Sequence, residues 1–302
     1  MGKTVRKSTG VIMSWRVVVI SNQAKLDYKM EYLVVRGLET KRILIDEIAV
    51  LVIENPAVSM TGILLEALTA HKVKVIFCDS KRNPVAELTP HHGCHDSSAK
   101  IRTQITWSQN IKDVIWRDIV AEKIRKQADF LFEAGRTEQA NLLSAYVGEV
   151  ELADASNREG HAAKVYFNAL FGMDFTRSAD LPINAALNYG YSLVLSTINR
   201  EVSANGYLTQ LGIFHNNMFN HYNLSCDLME PFRILVDRMV FELQPTEFDK
   251  DEKHYMWGLL DQKVLIDGQK QFVMNAIKIY TRSVFDAIND KDSSAIKFYS
   301  LL

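Results

Sequence analysis

The hydrophobic period of this chain changes once, close to residue 90, and that change limits the folds open to it. Over residues 15–88 short β-branched runs alternate with turn residues: WRVVVI, LDYKM, EYLVVRG, KRILIDEIAVLVIEN and VKVIFCD. Runs of this length and composition read as strands. One interruption, residues 59–71 (SMTGILLEALTAH), has helical apolar spacing, with Ser59 positioned to cap its start. Residues 84–98 (PVAELTPHHGCHDSS) hold two of the six prolines and a polar cluster, which marks a boundary. Beyond it, apolar residues recur at the 3.6-residue period over 100–130, 137–152, 158–171, 183–204, 227–243 and 268–288. Pro245 and the acidic loop EFDKDE at 247–252 set off the last helical block. The expected fold is therefore α+β, with an N-terminal β-rich, sandwich-like domain at 14–90, a linker at 91–99 and an all-α domain at 100–302. Met13 is an alternative start, which would leave residues 1–12 ahead of it, and residues 1–13 are expected to be a flexible extension or an expression scar.

At 302 residues and 47% hydrophobic content the chain can bury a large core, removing roughly 75% of its unfolded surface from water. The formal net charge of -1 does not advertise nucleic acid. The halves differ, however: residues 1–126 carry 20 Lys+Arg against 13 Asp+Glu, and residues 127–302 carry 15 against 23. The basic half could contribute to a DNA groove or be a solvated surface. Cys78, Cys94 and Cys226 are odd in number and lack a paired spacing, so no disulfide framework is expected and the reducing cytosol is the natural compartment. Arg16 interrupts the only apolar run near the N-terminus, no small-residue cleavage site follows it, and no stretch approaches the roughly 20 apolar residues of a membrane span. A cytoplasmic protein without membrane association is expected.

The chemistry concentrates in residues 211–238, LGIFHNNMFNHYNLSCDLMEPFRILVDR. His215 precedes Glu230 by fifteen residues, and Asp227 lies one helical turn before that glutamate. Imidazole and carboxylate donors together suit Mg²⁺ or Mn²⁺. A further carboxylate is available upstream in DASNREGHAAKVYF as Glu159. Each residue also has a structural reading. Ser156 and Glu159 match a capping box, and His215, among aromatic neighbours, fits a hydrogen-bonded core histidine. Asp227 can cap a helix that Pro231 starts or kinks. Arg158, Lys164, Arg233 and Arg238 could contact phosphate or pair with helix carboxylates. His221 reads as structural or DNA-facing. His91, His92, Cys94 and His95 are too cramped for a tetrahedral zinc site and read as a polar loop. Asp46 and Glu47 stand in an apolar strand context without a partner constellation. The chain lacks a Walker loop, a GxGxxG turn and a GxSxG elbow.

The blocks NREGHAAKVYF, NAALNYGYSL, GIFH and CDLMEPFR, in this order and spacing, resemble the CRISPR adaptation integrase family, enzymes that insert new spacers into the repeat array. CDLMEPFR and the N-terminal sheet further resemble the type II-A subtype, which accompanies a single-chain effector nuclease. The resemblance implies that Glu159, His215 and Glu230 are metal ligands and catalytic residues, that Asp227 is a supporting acid, and that Mg²⁺ or Mn²⁺ is the cofactor. Many relatives carry aspartate where Glu230 stands. The implied reaction is transesterification joining the 3′-hydroxyl ends of short DNA fragments to the CRISPR repeat. Implied partners are double-stranded DNA (prespacer and repeat), a second copy bound through the β-rich domain, and a small ferredoxin-like protein bridging two dimers. A ring-shaped DNA-end-binding protein and the effector nuclease are further implied partners. A structure-specific metal-dependent nuclease and a non-catalytic DNA-binding scaffold are the rival readings.

Overall fold

The computed structural model describes residues 16–88 and 94–302, and the chain divides into two compact units after residue 90. The expectations for residues 1–13, His91 and His92 fall outside the described residues.

The first unit contains β1 (Arg16–Ile20), β2 (Lys25–Lys29), β3 (Tyr32–Arg36), β4 (Thr40–Leu44), β5 (Ile48–Ile53), β6 (Ser59–Met60), α1 (Gly62–Ala70), β7 (Lys74–Cys78) and β8 (Pro84–Leu88). Strand β5, IAVLVI, is buried at all six positions because it is interior, with β1 and β7 parallel on either side and β8 antiparallel to β7. A strand covered on both faces has no reason to alternate, which is why its sequence is continuously apolar. The second sheet has the order β4-β3-β2-β6. Leu26 and Leu33 from that sheet, Val18, Leu51 and Ile53 from the first, and Leu64 and Leu68 from α1 form one core.

Three expectations change here. Ser59 does not cap the helix: it pairs with Lys25 in the parallel β2–β6 ladder, and Thr61 stands at the helix start. Residues 84–88 are a strand rather than boundary, since Pro84 sits at the first strand position, where a missing N–H is tolerated. Asp46 and Glu47 sit in a one-turn 3₁₀ segment, where Asp46 bonds the His71 ring and Glu47 accepts from Arg16 at 2.9 Å.

The second unit contains α2 (Ser97–Ile105), α3 (Gln109–Glu133), α4 (Thr137–Val147), α5 (Arg158–Phe171), α6 (Pro182–Ala204), α7 (Asn223–Met229), α8 (Arg233–Leu243), α9 (Lys250–Trp257), β9 (Lys263–Ile266), β10 (Gln269–Phe272) and α10 (Val273–Asp290). Helix α3 is its axis, packing on α4, α5, α7, α8 and α10. Helices α6 and α8 approach closely at Gly190, where a Cβ would stand 2.4 Å from Val236 Cγ1.

The all-α expectation is corrected by β9 and β10, an antiparallel hairpin in the 268–288 region and just before it. Its turn is Asp267–Gly268, both with positive φ, the dipeptide that two-residue hairpins favour. The expected acidic loop begins α9 instead, since Asp249 and Glu252 form a reciprocal capping box. The single helix expected over 100–130 is two, and α2 starts at Ser97, inside the expected linker. No helix among the described residues is long and apolar enough to cross a membrane.

Candidate metal centre

Glu159 enters the site from the first turn of α5. The expected capping box does not form: Ser156 Oγ donates to the Glu149 carbonyl at 3.4 Å, and Asn157, at φ 51°, is the residue before the helix. Asp154 takes over the capping work, accepting from the backbone N–H of Arg158 at 2.8 Å and of Glu159 at 3.1 Å. The Glu159 carboxylate is thereby released from the backbone and lines a cavity. Gly160 lets the chain pass Asn157, whose Oδ1 would lie 2.7 Å from an added Cβ.

Glu230 stands in the 3₁₀ turn of residues 230–232 that links α7 to α8, where Pro231 interrupts the α-helical bonding. Phe232, fully buried, packs on Tyr299 and Tyr280 with ring centroids 4.7 and 5.3 Å away. Tyr299 Oη donates to the Pro231 carbonyl at 2.9 Å. Burial of an aromatic side chain such as Phe232 contributes about 1.5–3 kcal/mol, so the turn carrying Glu230 is anchored by its apolar neighbour.

His215 is held by Asp227. That carboxylate, wholly buried, accepts from the backbone N–H groups of Ile213 (2.6 Å), Phe214 (3.1 Å) and His215 (3.0 Å), and it bonds His215 Nδ1 at 2.6 Å. A carboxylate can only accept here, so Nδ1 carries the proton and the neutral ring keeps its lone pair on Nε2. The loop closes this tightly because Gly212 has no side chain: a Cβ there would be 2.2 Å from the His215 carbonyl oxygen and 2.8 Å from Asp227 Oδ2. Phe214 stacks on buried Trp116 of α3, with centroids 4.5 Å apart and planes 3° from parallel, fixing the loop from the other side.

Glu159, His215 and Glu230 line one cavity of about 210 Å³, together with Lys123, Arg177, Tyr191, Arg233 and Asp237. Lys123, from the buried face of α3, places its ammonium between the two glutamates, 2.6 Å from Glu159 Oε1 and 2.5 Å from Glu230 Oε2. Arg233 Nε donates to the other Glu230 oxygen at 2.9 Å. Burial alone would push the Glu230 carboxyl up, but the Arg233 and Lys123 charges outweigh it and hold it at about 2. Burial likewise works against the Lys123 ammonium, and the two glutamates more than offset it, raising its pKa. The hydrogen bond to Asp227 raises His215 against an opposing effect of burial. Asp237, buried and accepting from Tyr191 Oη, is pushed up to about 6 by burial.

Asp227 does not line the cavity. Among the other sequence candidates, Arg233 alone lines it; Arg158 pairs with Glu149 at 2.8 Å and lies over Tyr146, Arg238 pairs with Glu133 and lies over Phe130, and Lys164 is exposed on α5. Sequence reasoning missed Lys123, Arg177, Tyr191 and Asp237. A signal for Lys123 existed: it falls four residues after Ile119 on the buried stripe of α3, a place where an unpaired ammonium would be costly. Arg177 is aligned by Asn184 Oδ1 at 2.5 Å and Asn188 Oδ1 at 2.7 Å, both from the NAALNYGYSL block.

Two carboxylates and an imidazole form a donor set suited to Mg²⁺ or Mn²⁺. The Lys123 ammonium between the carboxylates is a stand-in cation, so the residues fit a positive charge at that point. The donor atoms of Glu159, His215 and Glu230 are not gathered within 4.8 Å of one another in this arrangement; among the described residues, those of Cys94, His95 and Asp96 are. There Cys94 Sγ donates to Asp96 Oδ1 at 2.6 Å, and Lys100 Nζ stands 3.7 Å from the sulfur, so that cluster already contains its cation.

The family model described as CRISPR associated protein Cas1 matches residues 17–265. The chain belongs to the Cas1 family. A CRISPR-associated endonuclease Cas1 of Neisseria meningitidis serogroup C is 32% identical over 96% of this chain and 97% of its own length. Two solved structures share the Cas1 fold at a TM-score of 0.72 and 18% identity. One is a casposase bound to integration product, with 92% of this chain and 93% of the casposase aligned. The other is a Cas6-RT-Cas1–Cas2 complex, with 97% of this chain and 37% of the larger chain aligned.

Proposed function

We propose that this chain is a metal-dependent DNA integrase and endonuclease of CRISPR adaptation, joining the 3′-hydroxyl ends of short DNA fragments to the repeat array. The observation that carries the reading is the convergence of Glu159, His215 and Glu230 on one cavity with a cation between the carboxylates. Membership in the Cas1 family and the likeness to a casposase bound to integration product support it.

Glu159, Glu230 and His215 Nε2 would hold Mg²⁺ or Mn²⁺. When bound, the ion supplies Lewis-acid stabilisation of charge on the scissile phosphate. Asp227 fixes the ring so that Nε2 is the available donor. Arg233 keeps Glu230 ionised, and Arg177, held in line by Asn184 and Asn188, offers a guanidinium that can take a phosphate oxygen. One phosphorus–oxygen bond forms to the incoming 3′-oxygen, which gives up its proton to solvent. One breaks to the repeat strand's 3′-oxygen, which takes a proton up. The exchange needs no nucleotide triphosphate, in keeping with a chain that lacks a Walker loop.

By family resemblance the partners are prespacer and repeat DNA, a second copy of the chain bound through the β-rich unit, and a Cas2-like ferredoxin-fold protein bridging two dimers. A type II-A setting would add a ring-shaped DNA-end-binding protein and the effector nuclease. Arg158, Lys164 and Arg238 are proposed as backbone contacts outside the cavity.

The Glu159→Ala variant is predicted to lose Mn²⁺-dependent strand transfer with an unchanged circular dichroism spectrum. Full activity in the purified variant would overturn the metal centre, and cutting without joining by the wild type would favour the structure-specific nuclease.

A further inference from the structure

Lys123 is the least expected member of the site. It projects from the middle of α3, its side chain is 9% exposed, and it meets two carboxylates that come from distant parts of the chain. The Glu230 side chain is 3% exposed and that of Glu159 26%, so water reaches the first hardly at all and the second only in part. With Arg233 engaged on the far oxygen of Glu230, Lys123 is what separates the facing oxygens of the pair.

We propose that Lys123 is the internal counter-ion of the metal-free site: its ammonium occupies the place between Glu159 and Glu230 that a divalent cation takes, and must leave when the cation binds. The inference rests on the metal-centre reading above and deepens it. Its consequence is a trade. The ammonium keeps the buried Glu230 and the partly buried Glu159 converged and compatible with folding before an ion arrives, and it weakens ion binding because the ion displaces an existing pair. The cavity is polar and roomy enough, at about 210 Å³, for the four-carbon stem to swing the ammonium aside.

Calorimetric titration of Mn²⁺ into wild type and Lys123→Met, which keeps the stem and removes the charge, tests this. The variant is predicted to bind Mn²⁺ about tenfold more tightly or better. In EDTA it should melt about 5 °C or more below wild type, with the gap closing in saturating Mn²⁺. Equal or weaker binding by a folded variant would overturn the proposal.

The wild type provides a second measurement that does not depend on the variant folding. Reductive methylation followed by peptide mass spectrometry should label Lys123 faster in Mn²⁺ than in EDTA, and equal or slower labelling would count against displacement. Failure of wild type and Lys123→Met alike to bind Mn²⁺ would overturn the metal centre itself, and this inference with it. Binding by wild type with no change in the variant overturns only the role of Lys123.

Discussion

Asp227 and Glu230 are three residues apart and chemically alike, yet their environments give them opposite tasks. Asp227 is saturated by three backbone N–H groups and a ring nitrogen, so it can only shape the loop and orient His215. Glu230 is met by two cations, Lys123 on one oxygen and Arg233 on the other, and faces the cavity. The sequence exposes both carboxylates but not this division, because what separates them is Gly212 and the fold of the GIFH loop, three-dimensional facts with no periodic signature. Asp237 was missed for a related reason: it lies past the CDLMEPFR block, where an acid on a helix reads as surface. Its carboxyl titrates at about 6 in the folded protein against an ordinary 3.8. Between those values the native chain keeps a proton that the unfolded chain has released, so stability falls as pH rises through this window, by about 3 kcal/mol at most. Urea unfolding of wild type and Asp237→Asn at pH 4.5 and 7.5 should show wild type losing stability relative to the variant as pH rises. A constant difference would contradict the burial of an ionisable group there.

At the scale of elements, the strongly periodic segments were legible and the punctuation was not. The runs leading to β1, β3, β5 and β7, and the helices α5 and α6, follow directly from apolar spacing. The β9–β10 hairpin was lost inside an apolar helical pattern although its Asp267–Gly268 turn was in plain view. At α5, the Ser156 pattern was outcompeted by Asp154, a better-placed acceptor five residues before Glu159. The loop that carries His215 depends on the absence of one side chain. Gly212→Ala would drive a methyl group into the His215 carbonyl and the Asp227 carboxylate. It is predicted to leave helical content intact while weakening Mn²⁺ binding by about 10-fold or more, since ligand orientation is lost. Wild-type affinity in a calorimetric titration of this variant would show that the loop tolerates a side chain and that its tightness does not set the ligand.

For the whole molecule, the change of hydrophobic period near residue 90 coincides with the division between a two-sheet unit and a helical unit built around α3. Net charge conveyed least, because a molecule near neutrality overall can still concentrate Lys123, Arg177 and Arg233 on one acidic cavity. That concentration makes contact with a polyanion sensitive to salt, so DNA binding should weaken steadily as salt rises. The cavity's residues come from α3, α5, the loop that carries Arg177, α6, the loop that carries His215, the 230–232 turn and α8, and only the assembled unit brings them together. The proposed exchange of one DNA phosphodiester for another calls for strand transfer on a branched DNA that mimics a half-integrated spacer, in Mn²⁺, with wild type and His215→Ala side by side. Rejoined strands from wild type alone are the predicted result, and a wild type that cuts the branch without joining it, or a His215→Ala variant that joins it equally well, would overturn the integrase reading.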